Sequence, residues 1–310
     1  MPFAERAADS GYDTVWTGEL WGRDAFVVLT EIAQAVDVGV GTAIVNVYSR
    51  TPAALAQAAA SLDAVAAEEV RLGLGTSTPK AITDLHGRAF ENPPRHLHET
   101  AELAAAFLGS DGPVGYDGEL FSVRDFPGLD VDVPVYAAAL GPATRRATGR
   151  VADGWIPHNV PFDHLPDAFE TVAEAARERD RDPDVITVAP YVPSAVSEDP
   201  AIARDAVKGH LAYYVGSGEG YRRAVAAAFP ERADRVAEAW RDGDREAAKA
   251  AVTDEMVDAL GVAGDAETAR ERLREVEANP AVDESIVVVP ANASDLVDET
   301  VAALAPDGSA

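Results

Sequence analysis

Short β-branched or apolar runs alternate along the chain with longer stretches of helical periodicity, the pattern of an α/β fold built on a parallel sheet. The apolar runs predict strands at 14–17, 38–47, 70–75, 133–140, 152–157, 185–196 and 285–289. Between and after them, helices are predicted at 3–10, 25–35, 52–67, 96–108, 142–150, 165–179, 265–278 and 293–304. Pro52 opens one of these at its first turn, with Thr51 as its N-cap. Residues 76–95 read as a long polar loop, 109–131 as a Gly- and Asp-rich excursion, and 200–260 as helical with no strand.

Strand followed by helix, repeated over 310 residues without a linker or internal repeat, predicts one (β/α)8 TIM-barrel domain over 1–310 with a helical insertion at about 200–260. Seven strands are found rather than eight, and the chain opens on what should be the helix after the first strand. The expectation is therefore a barrel lacking its first strand, with a gap between the strands at 14–17 and 285–289. Closing a barrel leaves no edges, so either the start lies upstream or a partner covers the edge, and a homodimer is expected.

Composition narrows the setting. No run of about 18 apolar residues could span a bilayer, so no membrane partner is expected. The start Met1-Pro2-Phe3-Ala4-Glu5-Arg6 lacks the basic and apolar regions of a signal peptide, and there is no cysteine for disulfide or thiolate chemistry. A cytoplasmic protein is expected. Asp and Glu total 53 against 26 Lys and Arg, a formal net charge of −27, and the only lysines are Lys80, Lys208 and Lys249. The acids are spread along the chain rather than gathered in a tail, which reads as adaptation to a salt-filled cytoplasm. Nucleic acid is disfavoured as a partner by the same repulsion.

Four segments at predicted strand ends carry candidate chemistry. Val15-Trp16-Thr17-Gly18-Glu19-Leu20-Trp21-Gly22-Arg23-Asp24 runs a strand into a loop of aromatic and charged groups. Read alone, that loop is solvated, with Arg23 and Asp24 pairing or capping the next helix. Gly41-Thr42-Ala43-Ile44-Val45-Asn46-Val47-Tyr48-Ser49-Arg50-Thr51-Pro52 ends a strand in small residues, an amide and a phenol. Gly73-Leu74-Gly75-Thr76-Ser77-Thr78 exposes backbone and hydroxyls, but no Gly-Lys-Ser/Thr follows, so it is not a P-loop. Ala137-Ala138-Ala139-Leu140-Gly141-Pro142-Ala143-Thr144 turns through glycine into a helix whose first N–H groups suit an anion. A metal site is not expected, because His96 and His98 are two apart on a predicted helix and face different ways.

Taken in order, these segments resemble the bacterial-luciferase-like superfamily, and within it the deazaflavin (coenzyme F420)-dependent oxidoreductases such as the methylene-tetrahydromethanopterin reductases. The resemblance rests on the Trp16 to Phe26 stretch, Asn46-Val47-Tyr48-Ser49-Arg50-Thr51-Pro52, Gly73-Leu74-Gly75-Thr76-Ser77 and Leu85-His86-Gly87-Arg88-Ala89-Phe90. It continues through Ala139-Leu140-Gly141-Pro142, Val151-Ala152-Asp153-Gly154-Trp155 and Gly264-Asp265-Ala266-Glu267-Thr268. It implies a hydride-transferring enzyme acting on a small organic substrate, for instance a methylene-tetrahydropterin or folate. It also implies a non-prolyl cis peptide at about Ala43–Ile44 backing the coenzyme ring, with Asn46 at the ring edge. Thr76 and Ser77 would line the ring, and Ala138, Ala139, Leu140, Gly141, Pro142 and Thr144 would hold its phosphate end. Glu19 matches an acidic position of the family, but Leu20 stands where relatives often carry His, and Thr78 and Ala81 stand where some carry Glu and Asn. The proton-handling group is thus left among Glu19, Tyr48 and His86. Two alternatives stay open: an FMN-dependent luciferase-like monooxygenase, which the missing His disfavours, and a non-catalytic flavin-binding protein.

Overall fold

The structure, a computed structural model, describes residues 2–306. They pack as two compact units, the first running to Ile156 and adding Glu170–Thr187, the second comprising Pro157–Phe169 and the chain from Val188 onward. The strands are β1 (Thr14–Thr17), β2 (Gly39–Thr42), β3 (Val45–Asn46), β4 (Val70–Gly75), β5 (Val114–Asp117), β6 (Ser122–Phe126), β7 (Val135–Ala138), β8 (Gly154–Trp155), β9 (Thr187–Val188), β10 (Tyr191–Val196), β11 (Val262–Gly264) and β12 (Ile286–Val288). Helices before β8 are α1 (Pro2–Asp9), α2 (Ala25–Ala33), α3 (Pro52–Asp63), α4 (Pro93–Gly109) and α5 (Pro142–Val151). Those after it are α6 (Leu165–Arg177), α7 (Pro200–Ser217), α8 (Glu219–Ala226), α9 (Pro230–Arg241), α10 (Arg245–Ala251), α11 (Asp254–Leu260), α12 (Ala266–Glu277) and α13 (Val297–Ala303). No helix among the described residues is long and apolar enough to cross a membrane.

The strand order is β1-β2-β4-β7-β8-β9, with β3 also on β4, and within the first unit the neighbours from β1 to β8 pair in parallel. Parallel strands are covered on both faces and read as nearly continuous apolar runs, which is why the sequence pattern located them. Leu29, Leu55, Leu72, Leu74, Leu103 and Phe107 are fully buried in one core between the sheet and helices α2 to α4. The helix starts follow local chemistry. Asp24 accepts N–H bonds from Phe26 and Val27 at the head of α2, and Thr51 caps α3 ahead of Pro52. Thr42 stitches β2 to β4, its hydroxyl donating to the Gly73 carbonyl and accepting from the Gly73 N–H, both at 2.8 Å. A Cβ at Gly73 would lie 1.9 Å from the Thr42 carbonyl oxygen, so only glycine permits this approach.

The second unit carries its own parallel sheet, β11-β10-β12, with α7 laid against β10 and β11. Its core joins α7, α9, α10 and α11 through Leu211, Val215, Val236, Ala248, Met256 and Leu260.

Several elements depart from the sequence expectation. The run 38–47 is two strands separated by a break at Ala43–Ile44, and 185–196 is a 3-10 turn (Pro183–Val185) followed by β9 and β10. Only Gly154–Trp155 of 152–157 is paired. Helix α4 starts three residues earlier than expected, at Pro93, because proline is well tolerated in a first turn that needs no N–H. The excursion 109–131 contains the antiparallel hairpin β5–β6, and β11 is an unforeseen three-residue strand. Both lack a long apolar run, and tertiary pairing rather than periodicity defines them.

Candidate active site

The carboxyl ends of three neighbouring strands meet in register. Asn46 of β3 is opposite Gly75 of β4, and Gly75 is opposite Ala138 of β7. Adjacent strands lie about 4.8 Å apart, so this row spans roughly 10 Å, the width of a fused ring system. The row is edged by small residues: a Cβ at Gly75 would meet Ile44 side-chain atoms at 2.8 and 2.9 Å and the Ala138 Cβ at 3.5 Å. Between β2 and β3 the Ala43–Ile44 peptide is cis, at the position expected from the sequence. The Ile44 carbonyl accepts the Glu19 N–H at 3.1 Å, and the Ala43 N–H donates to Thr17 at 2.8 Å, so the loop after β1 is held to this break.

Asn46 is buried, and its Oδ1 accepts the N–H groups of Tyr48 and Ser49 at 3.0 and 2.8 Å. Those two bonds set the amide orientation, which leaves Nδ2 to donate to His86 Nε2 at 3.0 Å. His86 therefore uses Nε2 as an acceptor and carries its ring proton on Nδ1. It reaches Asn46 from the turn after a short π-helix, Ala81–Leu85, whose first turn takes the Thr78 hydroxyl as acceptor for the Ala81 N–H at 3.3 Å.

Glu19 and Tyr48 are placed differently from what a proton donor needs. The Glu19 carboxylate accepts both terminal nitrogens of Arg50 at 2.7 and 2.8 Å and the Ala25 N–H at 3.0 Å. Burial pushes its carboxyl up, but the Arg50 and Ala25 hydrogen bonds and the Arg50 charge outweigh this and hold it below the ordinary carboxylate range. Glu19 thus has no proton to give near neutrality; it anchors Arg50, which also pairs with Asp24. The Tyr48 hydroxyl donates to the Glu91 carbonyl at 3.0 Å, and its ring packs on His96 and Phe90 at centroid distances of 4.3 and 5.4 Å. Burial and the nearby Glu91 charge push its phenol up to about 12. Of the three candidates, His86 alone combines a half-buried ring with a place on the strand-end row.

Thr76 and Ser77 follow β4 half-buried, with Ser77 in the left-handed region at φ 56°. At the end of β7 Ala138 is half-buried; beyond it Ala139 is buried, Leu140 is half-buried, and Gly141 and Pro142 are exposed. Gly141 is the N-cap of α5 without a side-chain cap, and a Cβ there would meet nothing nearer than Thr144 Oγ1 at 3.9 Å. The Thr144 hydroxyl donates to the Gly141 carbonyl at 2.9 Å, and Arg145 N–H makes the first helical bond.

Two residues of this face escaped the sequence reading. Arg50 is the only charged residue between Asp37 and Asp63, and a lone cation in so apolar a stretch is the signal that marks it. Arg145 lies over the buried Trp155 ring, 5.7 Å from its centroid, and its Nε is buried with no hydrogen-bond partner among the described residues. Trp155 in turn donates its indole N–H to the Ala139 carbonyl at 2.8 Å, tying β8 to the end of β7. As for Arg23 and Asp24, Asp24 caps α2 and Arg23 pairs with Glu31 at 3.2 Å.

Comparison with known proteins places this geometry among relatives. The family model described as luciferase-like monooxygenase matches residues 1–284. A coenzyme F420-dependent oxidoreductase of Mycobacterium tuberculosis is 27% identical over 88% of this chain and 85% of its own length. The 5,10-methylenetetrahydromethanopterin reductase of Methanolobus tindarius is 28% identical, again over 88% of this chain and 85% of its own. Among solved structures, the coenzyme F420-dependent tetrahydromethanopterin reductase from Methanopyrus kandleri superposes with a TM-score of 0.84 at 24% identity, covering 98% of this chain and 92% of that one. That superposition establishes the α/β, TIM-barrel-like fold expected from the alternation of strands and helices.

Proposed function

We propose that this chain, which belongs to the luciferase-like monooxygenase family, is a coenzyme F420-dependent oxidoreductase that moves a hydride between the deazaflavin and a small organic substrate. The observation that carries this reading is the in-register row Asn46, Gly75 and Ala138, which runs on from β7 into the uncapped helix start at Gly141. A flat, small-residue shelf ending in free helical N–H groups suits a planar ring with an anionic tail. The name of the M. tuberculosis relative supports the same coenzyme, and the names of the M. tuberculosis and M. tindarius relatives support the same reaction class.

In this reading Ala43, Ile44, Asn46, Thr76 and Ser77 border the ring, and Ala138, Ala139 and Leu140 lead to its phosphate. The phosphate is taken by the turn at Gly141, Pro142 and Thr144, and Arg145 adds the fixed positive charge that this otherwise acidic protein must supply. When bound, the deazaflavin supplies the carbon that gives or takes the hydride. The protein's part is positional: it holds the two reactants at near-contact distance, in line and away from water. Asn46 keeps the His86 proton on Nδ1, so that ring position can donate a hydrogen bond to a substrate atom on which negative charge develops. The Arg50–Glu19 pair holds the loop after β1 against the loop after β3, so the face keeps its shape. For the substrate, the proposed class is a methylene-tetrahydropterin or folate, on the strength of the names of the M. tindarius and M. kandleri proteins.

The test is titration of the purified protein, in molar KCl, with F420 and separately with FMN, followed by quenching of ligand fluorescence. F420 should bind and FMN should not; the reverse would favour the flavin-dependent alternative. Gly141→Asp places a carboxylate where the anion sits and should weaken F420 by about a hundredfold, ~2.7 kcal/mol, with the fold intact. Unchanged affinity would move the anion site elsewhere.

A further inference from the structure

The turn that follows β8 carries buried polar groups for which the reaction above has no use. Within the second unit, His158 is 6% exposed and His210 is 7% exposed, and their Nε2 atoms lie 3.2 Å apart. One ring must donate and the other accept, so the two imidazoles lock each other in complementary tautomers. Tyr191, Tyr214 and Tyr221 close on the His158 ring edge-on, at centroid distances of 4.8, 4.2 and 5.2 Å. This rigid cluster fixes the residue that precedes Asn159.

Asn159 is 2% exposed and its backbone is in the left-handed region at φ 58°, where a non-glycine side chain is uncommon. Both Oδ1 and Nδ2 are buried and have no hydrogen-bond partner among the described residues. A buried amide almost always uses these groups, because leaving them bare forfeits their hydration without replacement. No metal-binding group of His, Asp and Glu exists among the described residues to explain the cluster otherwise.

We propose that Asn159 is a ligand-binding amide, presented by the locked His158–His210 pair, for a planar heterocycle that carries a hydrogen-bond donor directly beside an acceptor. The amide offers one acceptor and one donor side by side, so its complement must offer the same pair in the opposite order. A trans peptide points its N–H and C=O in opposite directions and cannot do so. A carboxylate or phosphate brings only acceptors, one of which would face Oδ1. A ring lactam and an amino-imine ring edge both meet the requirement, as in the two-bond pairing of Asn with adenine. Reaching the amide requires a local opening, so ring and protein adjust together on binding.

Two pairs of small probes separate the two ring edges. Quinazolinone and its N-methyl derivative differ in the lactam donor and one methyl group, and aminoquinazoline and its dimethylamino derivative in the amino donor and two; the Asn159 variant separates loss of the donor from added bulk. Affinities are measured by ligand-observed NMR with the whole protein in molar KCl, without coenzyme, so the result is independent of the hydride-transfer reading. In the unaltered protein, methylation should weaken at least one pair by about tenfold, the worth of one such bond. Asn159→Gly keeps the left-handed backbone and should bind parent and methylated rings equally and weakly, with an unfolding temperature no lower than that of the parent. If that variant does not fold, Asn159→Asp, which keeps the shape but loses the donor, takes its place with the same expected loss. Equal affinity for both members of each pair in the unaltered protein, discrimination that survives in the variant, or no binding of any probe would overturn the proposal.

Discussion

Removing the guanidinium of Arg50 tests the electrostatic logic of the strand-end face. In Arg50→Ala the Glu19 carboxylate loses two hydrogen bonds of 2.7 and 2.8 Å and keeps only the Ala25 N–H. The two side chains are 21% and 11% exposed, so Glu19 is left largely enclosed. Hydrogen bonds to charged groups contribute ~1.5–3 kcal/mol each, and breaking a buried pair costs ~3–5 kcal/mol. Partial exposure and molar salt reduce this, and the half-exposed Asp24 pairing adds at most about 1 kcal/mol, so the expected loss is about 2–4 kcal/mol at neutral pH. The pH dependence follows from the sign of the Glu19 shift. With Arg50 present its folded pKa is lowered, so the pair's stabilisation is present above the ordinary Glu range and is lost as pH falls through the folded value. Without Arg50, burial is the largest remaining influence and raises the folded pKa, so the variant's penalty is full at neutrality and eases as Glu19 protonates. Urea unfolding by circular dichroism, for parent and variant in the same KCl concentration, should show the gap shrinking between pH 7 and about pH 4. A gap below about 1 kcal/mol at neutral pH, or one of constant size across that range, would refute the argument.

Other consequences are open to measurement. Glu99, 1% exposed, accepts the N–H groups of Glu119, Leu120 and Phe121 at 2.9, 2.9 and 3.1 Å. Glu99→Ala leaves three donors unpaired and should cost ~3–5 kcal/mol in chemical denaturation; a loss under 1 kcal/mol would show that water replaces the carboxylate. Tyr48→Phe gives up only the bond to the Glu91 carbonyl, ~0.5–1.5 kcal/mol of stability, and should leave turnover and its pH profile unchanged. A lost alkaline limb in that variant would restore the phenol as a proton donor. Dialysis from ~1 M to ~0.1 M KCl lengthens the Debye length from about 3 to about 10 Å. It should therefore unfold a chain of net charge −27, and circular dichroism unchanged across that range would end the salt-adaptation reading.

The parallel strands other than β11 were legible because burial on both faces writes them as apolar runs, whatever they later pair with. Cap chemistry was equally local: Thr51 before Pro52 and glycine at the head of α5 announce helix starts within a few residues. The hairpin β5–β6 and the strand β11 were not legible, since their pairing partners and not their own residues define them. Among the candidate site residues, the positions of Asn46 at the end of β3 and of Gly141 at the head of α5 were legible, because both follow from local strand and helix-start signals. What Glu19 and Tyr48 do could not be read in this way. A carboxyl and a phenol are candidate proton donors in any sequence, and it is Arg50, 31 residues beyond Glu19, and the Glu91 carbonyl, 43 residues beyond Tyr48, that commit them to other bonds. The same holds for His86, whose tautomer is set by an amide 40 residues away, and for Asn159, whose bare amide exists only because the chain buries it. Periodicity and caps are properties of neighbours along the chain, and the backbone pattern follows from them. Protonation and hydrogen-bond satisfaction are properties of neighbours in space, and they become defined when folding brings distant strand ends together and takes water away.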